Sequence, residues 1–313
     1  MVLPLDYYRR MLALAESLAP SGTQLQHGFQ TNGTLLTDAW CRFIKEQGIC
    51  VGVSIDGPPA LHDLYRKTRS GRGTFRATMA GIERLKAHGV PFHVITVLTR
   101  ESLFFPDEMI DFYRQSGIRR IAFNIEEIEG VHRSSSLSDA RVDVLFRRFF
   151  ERILQACEQF KEIEWVRELA DAAGRIDHAR SGQVKNTQIV PFAIVSVAHD
   201  GSFSTFSPEL LGMTDPRFGD FVLGNFHTDD FDTAIGSAKF SQLDGEIQAG
   251  VRNCRRICGY FPLCGGGAPA NKLYEAGDFR ATETLYCRLN VKALSDLVLD
   301  RLDGAAEEQR VAS

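Results

Sequence analysis

Residues 49–58 read I-C-V-G-V-S-I-D-G-P. This is an apolar run of strand length that ends in turn residues. A short continuous apolar run of this kind marks a strand buried on both faces. Working outward, Phe75 to His88 has the spacing of a helix, with Met79, Ile82 and Leu85 on one face. Phe92 to Leu98 is a second apolar run. Pro106 opens a helix that stops at Gly117, Arg120 to Ile125 is a further strand, and Asp139 to Phe160 a long helix. A proline at the start and a glycine at the end are ordinary helix punctuation. Toward the N-terminus, Asp38 to Gln47 reads as a helix and Leu25 to Gln30 as a strand running into Thr31-Asn32-Gly33. Leu5 to Leu18 carries Tyr8, Met11, Leu12, Leu14 and Leu18 at helical spacing. Four apolar strands separated by helices predict βα units and a parallel sheet. In such folds the polar residues at the strand C-termini build the site. Here they are Thr31 and Asn32, Ser54 and Asp56, Thr96, and Asn124 with Glu126 and Glu127.

The second half changes character. Ile189 to Val197 and Ser202 to Phe206 flank Asp200-Gly201, a hairpin turn signal. Then comes C-R-R-I-C-G-Y-F-P-L-C-G-G-G-A-P-A-N-K, residues 254–272, followed by Cys287. Four of the seven cysteines thus fall within 34 of 313 residues. Four thiolates can close one metal centre, and soft sulfur selects zinc, copper(I) or an iron–sulfur cluster. The glycines after Cys264 let backbone pass close to a bulky inorganic core. Zinc knuckles favour two tight pairs, and intervals of three, five and 22 residues fit that pattern poorly. A pair of disulfides or four buried thiols are the plainer readings. Thr284 to Leu302 closes the chain as a helix, and the residues from Gly304 onward read as a frayed tail.

Composition bounds the rest. Hydrophobic content of 44%, charged content of 24% and a net charge of −4 describe an ordinary globular protein. That balance gives no support for a nucleic-acid surface. No apolar run approaches the roughly 20 residues that span a bilayer, so no membrane partner is expected. The opening Met-Val-Leu-Pro-Leu-Asp lacks a basic and an apolar signal region, which predicts a cytoplasmic protein with reduced thiols.

Taken together, T-N-G-T-L-L at 31–36, V-S-I-D-G-P-P-A-L-H-D-L-Y-R at 53–66 and the cysteine-rich end resemble a radical S-adenosylmethionine (radical SAM) enzyme with a SPASM domain. The resemblance implies a partial (β/α)6 barrel with about four βα units, residues 1–165. A connecting segment, 166–187, and a SPASM-type iron–sulfur domain, 188–313, follow. Within that group, S-P-E-L-L-G at 207–212, C-G-G-G-A-P-A-N-K at 264–272 and T-E-T-L-Y-C-R at 282–288 resemble the maturases that form cyclophane crosslinks in ribosomal peptides. The implied partners are a ribosomal precursor peptide and an electron donor. A sulfatase- or quinone-cofactor-maturing enzyme is the alternative, and so is a non-catalytic peptide-binding protein with a structural zinc site.

The resemblance assigns Ser54 and Arg66 to the ribose and carboxylate of S-adenosylmethionine, and places Gln30 and Asn32 facing cofactor or substrate. Glu209 is the candidate base. Cys254, Cys258, Cys264 and Cys287 are expected to ligate one auxiliary [4Fe–4S] cluster. Phe206 stands where a second auxiliary cluster would draw a cysteine. The C-x-x-x-C-x-x-C loop of the catalytic cluster is absent from these residues. A truncated, inactive form is therefore expected, with the catalytic cluster confined to a longer chain. Cys41 and Cys50 read as small buried thiols.

Overall fold

A computed structural model describes residues 2–130, 132–139 and 141–312, with the side chains of 305–312 outside the description. The chain divides into two compact units, Met1–Asn124 with Glu151–Arg167, and Ile125–Phe150 with Glu168–Ser313. The division passes through one strand and two helices.

The first unit is a parallel sheet with its helices. It begins with α1 (Leu5–Leu18), β1 (Gly28–Thr31), α2 (Asp38–Glu46), β2 (Cys50–Ser54), α3 (Pro59–Tyr65) and α4 (Phe75–Ala87). It continues with β3 (Phe92–Leu98), α5 (Pro106–Gln115) and β4 (Arg120–Ile125). After α6 (Val142–Gln159) comes β5 (Trp165–Val166), which leads directly into α7 (Arg167–Arg180). The strands lie in chain order β1-β2-β3-β4-β5. Register is set at Gly28↔Cys50, Val51↔Phe92 and Arg120↔Trp165. The sheet therefore has five strands where the sequence predicts about four units. Trp165–Val166 is too short to show any apolar periodicity, so pairing with Arg120 and Ile121 is what makes it a strand.

Alternation along each strand sorts the two faces. Val51, Val53 and Ile55 are fully or almost fully buried, as are Phe43 and Ile44 of α2 and Ile82 and Leu85 of α4. Thr96 belongs to this helix-facing layer. Its hydroxyl donates to the Ile55 carbonyl at 2.6 Å and meets the Tyr113 hydroxyl at 2.7 Å. Thr96 is thus packing, not a strand-end site residue. Of the α1 stripe only Leu12 is buried, while Met11, Leu14 and Leu18 are exposed. Cys41 is buried as expected, but Cys50 at the start of β2 is exposed.

The second unit holds β6 (Val195–Val197), β7 (Ser202–Thr205), β8 (Thr214–Asp215), β9 (Gly219–Asp220) and β10 (Gly224–Asn225). Then come α8 (Phe231–Ile235), α9 (Ala238–Ile257), α10 (Phe261–Cys264), α11 (Pro269–Ala276) and α12 (Leu294–Ala312). The order β10-β7-β6 is antiparallel, and Gly201 at φ +86° makes the predicted hairpin turn. The first strand is shorter than the apolar run suggests, because a 3-10 turn takes up Ile189 and Ala193 N–H returns to the Val190 carbonyl in a further turn. Phe206, Phe218, Phe221, Phe240 and Phe279 pack with Leu210, Leu243, Ile247 and Leu273 into one core. The predicted closing helix opens with a π-helical stretch, Cys287–Ala293, and α12 carries helical backbone as far as Ala312, within the stretch read as a frayed tail.

Candidate functional site

At the strand ends of the first unit, the segment after β2 is held by a buried histidine. Asp56 N–H donates to His62 Nδ1 at 3.2 Å, so the ring proton sits on Nε2 and is shared with Thr74 Oγ1 at 3.0 Å. The Thr74 hydroxyl in turn donates to the Arg66 carbonyl at 3.0 Å. Burial lowers the His62 pKa, which keeps the ring in the neutral form this relay requires. Arg66 donates from Nε to Asp56 Oδ2 at 2.5 Å and from Nη2 to Asp56 Oδ1 at 2.9 Å. Asp56 Oδ1 also accepts from Val97 N–H at 2.9 Å. The guanidinium fork that could grip a carboxylate therefore grips one from its own chain, leaving Nη1 outside the pair.

Asn32 is exposed and makes an Asx turn, its Oδ1 accepting from Thr34 N–H at 3.1 Å and from the Thr34 hydroxyl at 2.9 Å. Gln30 alternates with Phe29, whose ring packs edge-on against Trp40 at 6.3 Å, so Gln30 lies on the other face of β1 and is exposed. Ser54, opposite Ile95 at the end of β2, is half-buried.

In the second unit the four C-terminal cysteines line a single pocket together with Gly266, Gly267, Lys272, Thr282, Glu283 and Thr284. Local structure explains how. Cys254 lies in the last turn of α9, and Cys258 caps that helix in extended backbone, its N–H returning to the Cys254 carbonyl. Cys264 ends α10, and Gly265, Gly266 and Gly267 follow at φ +66°, +110° and +75°. Only glycine takes such a run without strain. Asn186 Nδ2 donates to the carbonyls of Cys264 at 3.1 Å and Gly267 at 3.0 Å, fixing the loop. Cys287 opens the π-helical stretch, and its N–H donates to Thr284 Oγ1 at 3.0 Å. Such bulges concentrate at functional sites.

All seven cysteines are free, so no disulfide joins these four. Among the described residues no three His, Cys, Asp or Glu side chains are drawn together as around a single metal ion. Zinc at 2.3 Å from each sulfur would hold neighbouring sulfurs within ~4 Å. A multi-iron core accepts ligands from farther apart. Four cysteine sulfurs around one pocket are a donor set that an iron–sulfur cluster accepts. Lys272, 4% exposed, donates from Nζ to Cys254 Sγ at 3.4 Å, which suits a centre of net negative charge. Burial pushes the Cys287 thiol up to about 12 and raises that of Cys264, so bound metal would have to draw the protons off.

A carboxylate group lies elsewhere in the same unit. Glu127, just past β4, accepts a hydrogen bond from Asn271 Nδ2 on α11. Burial pushes its carboxyl up to about 7, and Glu129, Glu209 and Glu275 add to the rise. Burial and Glu209 also raise Glu129. Tyr274, likewise pushed up to about 12, donates to the Glu209 carbonyl at 3.0 Å. Glu209 itself is exposed on the 3-10 turn Pro208–Leu210. Sequence reading placed Glu127 at a strand end but gave the base role to Glu209. The signal for Glu127 is its environment, which a linear pattern does not contain. Phe206 is fully buried at φ +71° and stacks on Phe240 at 6.2 Å, so that position serves the core.

The Radical SAM superfamily profile matches residues 3–104. The Synechocystis sp. protein sll1766 is 40% identical over 309 residues, 96% of this chain and 76% of that protein. A serine-type anaerobic sulfatase-maturating enzyme of Bacteroides thetaiotaomicron is 39% identical over 120 residues, 38% of this chain and 29% of that enzyme. The solved structure of native anSMEcpe with bound AdoMet and Cp18Cys peptide superposes with a TM-score of 0.71 at 19% identity, covering 97% of this chain and 82% of that one. That likeness is one of fold. With the parallel sheet in place, the chain belongs to the radical SAM superfamily. No helix among the described residues is long and apolar enough to cross a membrane.

Proposed function

We propose that this protein takes part in maturing a ribosomally made peptide by radical chemistry, joining a side-chain carbon to a neighbouring aromatic ring. The observation that carries the reading is the pocket of four cysteines, with S-P-E-L-L-G and C-G-G-G-A-P-A-N-K in the same compact unit. Crosslinking removes two hydrogens from the peptide: one leaves as a hydrogen atom, the other as a proton, with one electron going to an acceptor. S-adenosylmethionine supplies the abstracting radical in this family, and an auxiliary [4Fe–4S] cluster supplies an electron acceptor.

The chain's own residues have these parts. Cys254, Cys258, Cys264 and Cys287 hold the auxiliary cluster. Ser54, Gln30 and Asn32 bind the cofactor at the strand ends, and Arg66 contributes Nη1 while Asp56 orients its fork. Glu127 takes the ring proton, because a carboxyl poised near neutrality both accepts and releases one. Glu209 is the second candidate for that step. A SPASM-type domain over 188–313, joined through 166–187 to the barrel residues 1–165, is the domain organisation we propose. Since these residues contain no C-x-x-x-C-x-x-C, we infer that by themselves they do not open S-adenosylmethionine.

Sulfatase maturation is the second reading, favoured by the match to the Bacteroides enzyme. The test compares peptides encoded beside the gene, from cells with and without it, by tandem mass spectrometry. A peptide short of two hydrogens, with a carbon–ring crosslink, is the expected result. Unchanged peptides beside a modified sulfatase would carry the second reading.

A further inference from the structure

We infer that Lys272 is a positioning residue for the auxiliary cluster: its ammonium donates to the Cys254 sulfur and raises the reduction potential of the centre. The inference rests on the reading of the four cysteines as ligands of one cluster.

Lys272 sits in the first turn of α11, its N–H donating to the Ala268 carbonyl at 3.3 Å. Its side chain is 4% exposed and lines the cysteine pocket. Nζ lies 3.4 Å from Cys254 Sγ, and no carboxylate pairs with it among the described residues. The backbone is shaped to admit it. A Cβ at Gly250, on α9, would stand 3.1 Å from Nζ and 2.0 Å from the Phe279 carbonyl oxygen. Lys292 is the other lysine near these sulfurs, and it donates to Glu283, which offsets its charge. Lys272 has no such partner.

A buried ammonium without a counter-charge is costly. A cluster held by four thiolates carries net negative charge and supplies one. Reduction adds a further negative charge to the sulfurs and iron. A hydrogen-bonding cation at one sulfur stabilises that form more than the oxidised one, so the potential rises. A centre so poised takes an electron more readily, as an acceptor in the proposed crosslinking must.

The experiment reconstitutes the full chain and the variants Lys272→Met and Lys272→Arg anaerobically. Iron and sulfide are counted first, and the midpoint potential is then read by electron paramagnetic resonance during reductive titration. The expected result is about four iron and four sulfide in wild type, a more negative potential in Lys272→Met, and a potential near wild type in Lys272→Arg. A Lys272→Met protein with full iron and sulfide and an unshifted potential overturns the inference while leaving the cluster reading intact. If Lys272→Met cannot hold the cluster, Lys272→Arg decides: recovered content and potential support the role of charge, and no recovery overturns it. Stoichiometric zinc without sulfide in wild type overturns the cluster reading and the inference with it.

Discussion

At the residue scale, two half-buried ionisable groups in the second unit define what can be measured. Cys264 is held by a loop that only glycine can follow, and Asn186 pins the carbonyl on which that loop turns. Ligation energy is also folding energy. Cys264→Ser should lose most of its iron and sulfide and lower the melting temperature of reconstituted protein, while the apoprotein melts little changed. An unaltered metal content would remove Cys264 from the ligand set.

Glu127 gives a pH signature. In the folded protein its carboxyl keeps the proton up to about 7, against an ordinary value of 4.5. A raised folded pKa adds stability that is complete below the unfolded value and is lost as pH rises through the folded one. A change of that size corresponds to about 3 kcal/mol. Glu127→Gln stays neutral and can still accept from Asn271. It should therefore become the more stable protein as pH rises from 5 to 8, by up to about 3 kcal/mol in denaturant titrations. Parallel pH–stability curves for the two proteins would show that burial does not shift this group.

At the element scale, helices approach neighbouring backbone where a glycine leaves room. Gly81 of α4 is the clearest case, since a Cβ there would stand 2.2 Å from the Gly33 carbonyl oxygen. The same junction is tied by Thr78 Oγ1, which donates to the Asn32 carbonyl at 3.0 Å. Alanine normally favours a helix interior by about 1 kcal/mol over glycine. Here the steric conflict with rigid backbone outweighs that gain. Gly81→Ala should destabilise by about 2 kcal/mol, read as a lower urea midpoint with unchanged slope, and a rise in midpoint would contradict the close approach. The short β5 makes a related point. Two residues become a strand because Arg120 and Ile121 offer paired backbone and Trp165 packs under the Arg120 guanidinium, 4.9 Å above its ring.

At the scale of the whole molecule, the chain carries a cofactor-type sheet in one compact unit and a cysteine pocket in the other. The radical step needs a cluster with an iron open to S-adenosylmethionine. The four cysteines of the pocket leave no such position if all four ligate one cluster. Incubating these residues with S-adenosylmethionine and dithionite should give no 5′-deoxyadenosine above a control without protein. Sustained production would show that a cluster held here opens the cofactor.

The parallel βα pattern, the hairpin at Asp200-Gly201 and the spacing of the four cysteines are legible along the chain. These rest on periodicity, turn chemistry and composition, which are properties of neighbours along the chain. That Arg66 is bound to Asp56, that Thr96 faces the helices, and that Trp165 and Val166 pair as a strand emerges only in the folded molecule. The folded molecule also shows that Glu127 carries a perturbed carboxyl, and that Lys272 meets a cysteine sulfur. The physical reason is common to all of them. Burial, charge and hydrogen-bond geometry depend on residues brought together from distant parts of the chain, and no local pattern records those distances.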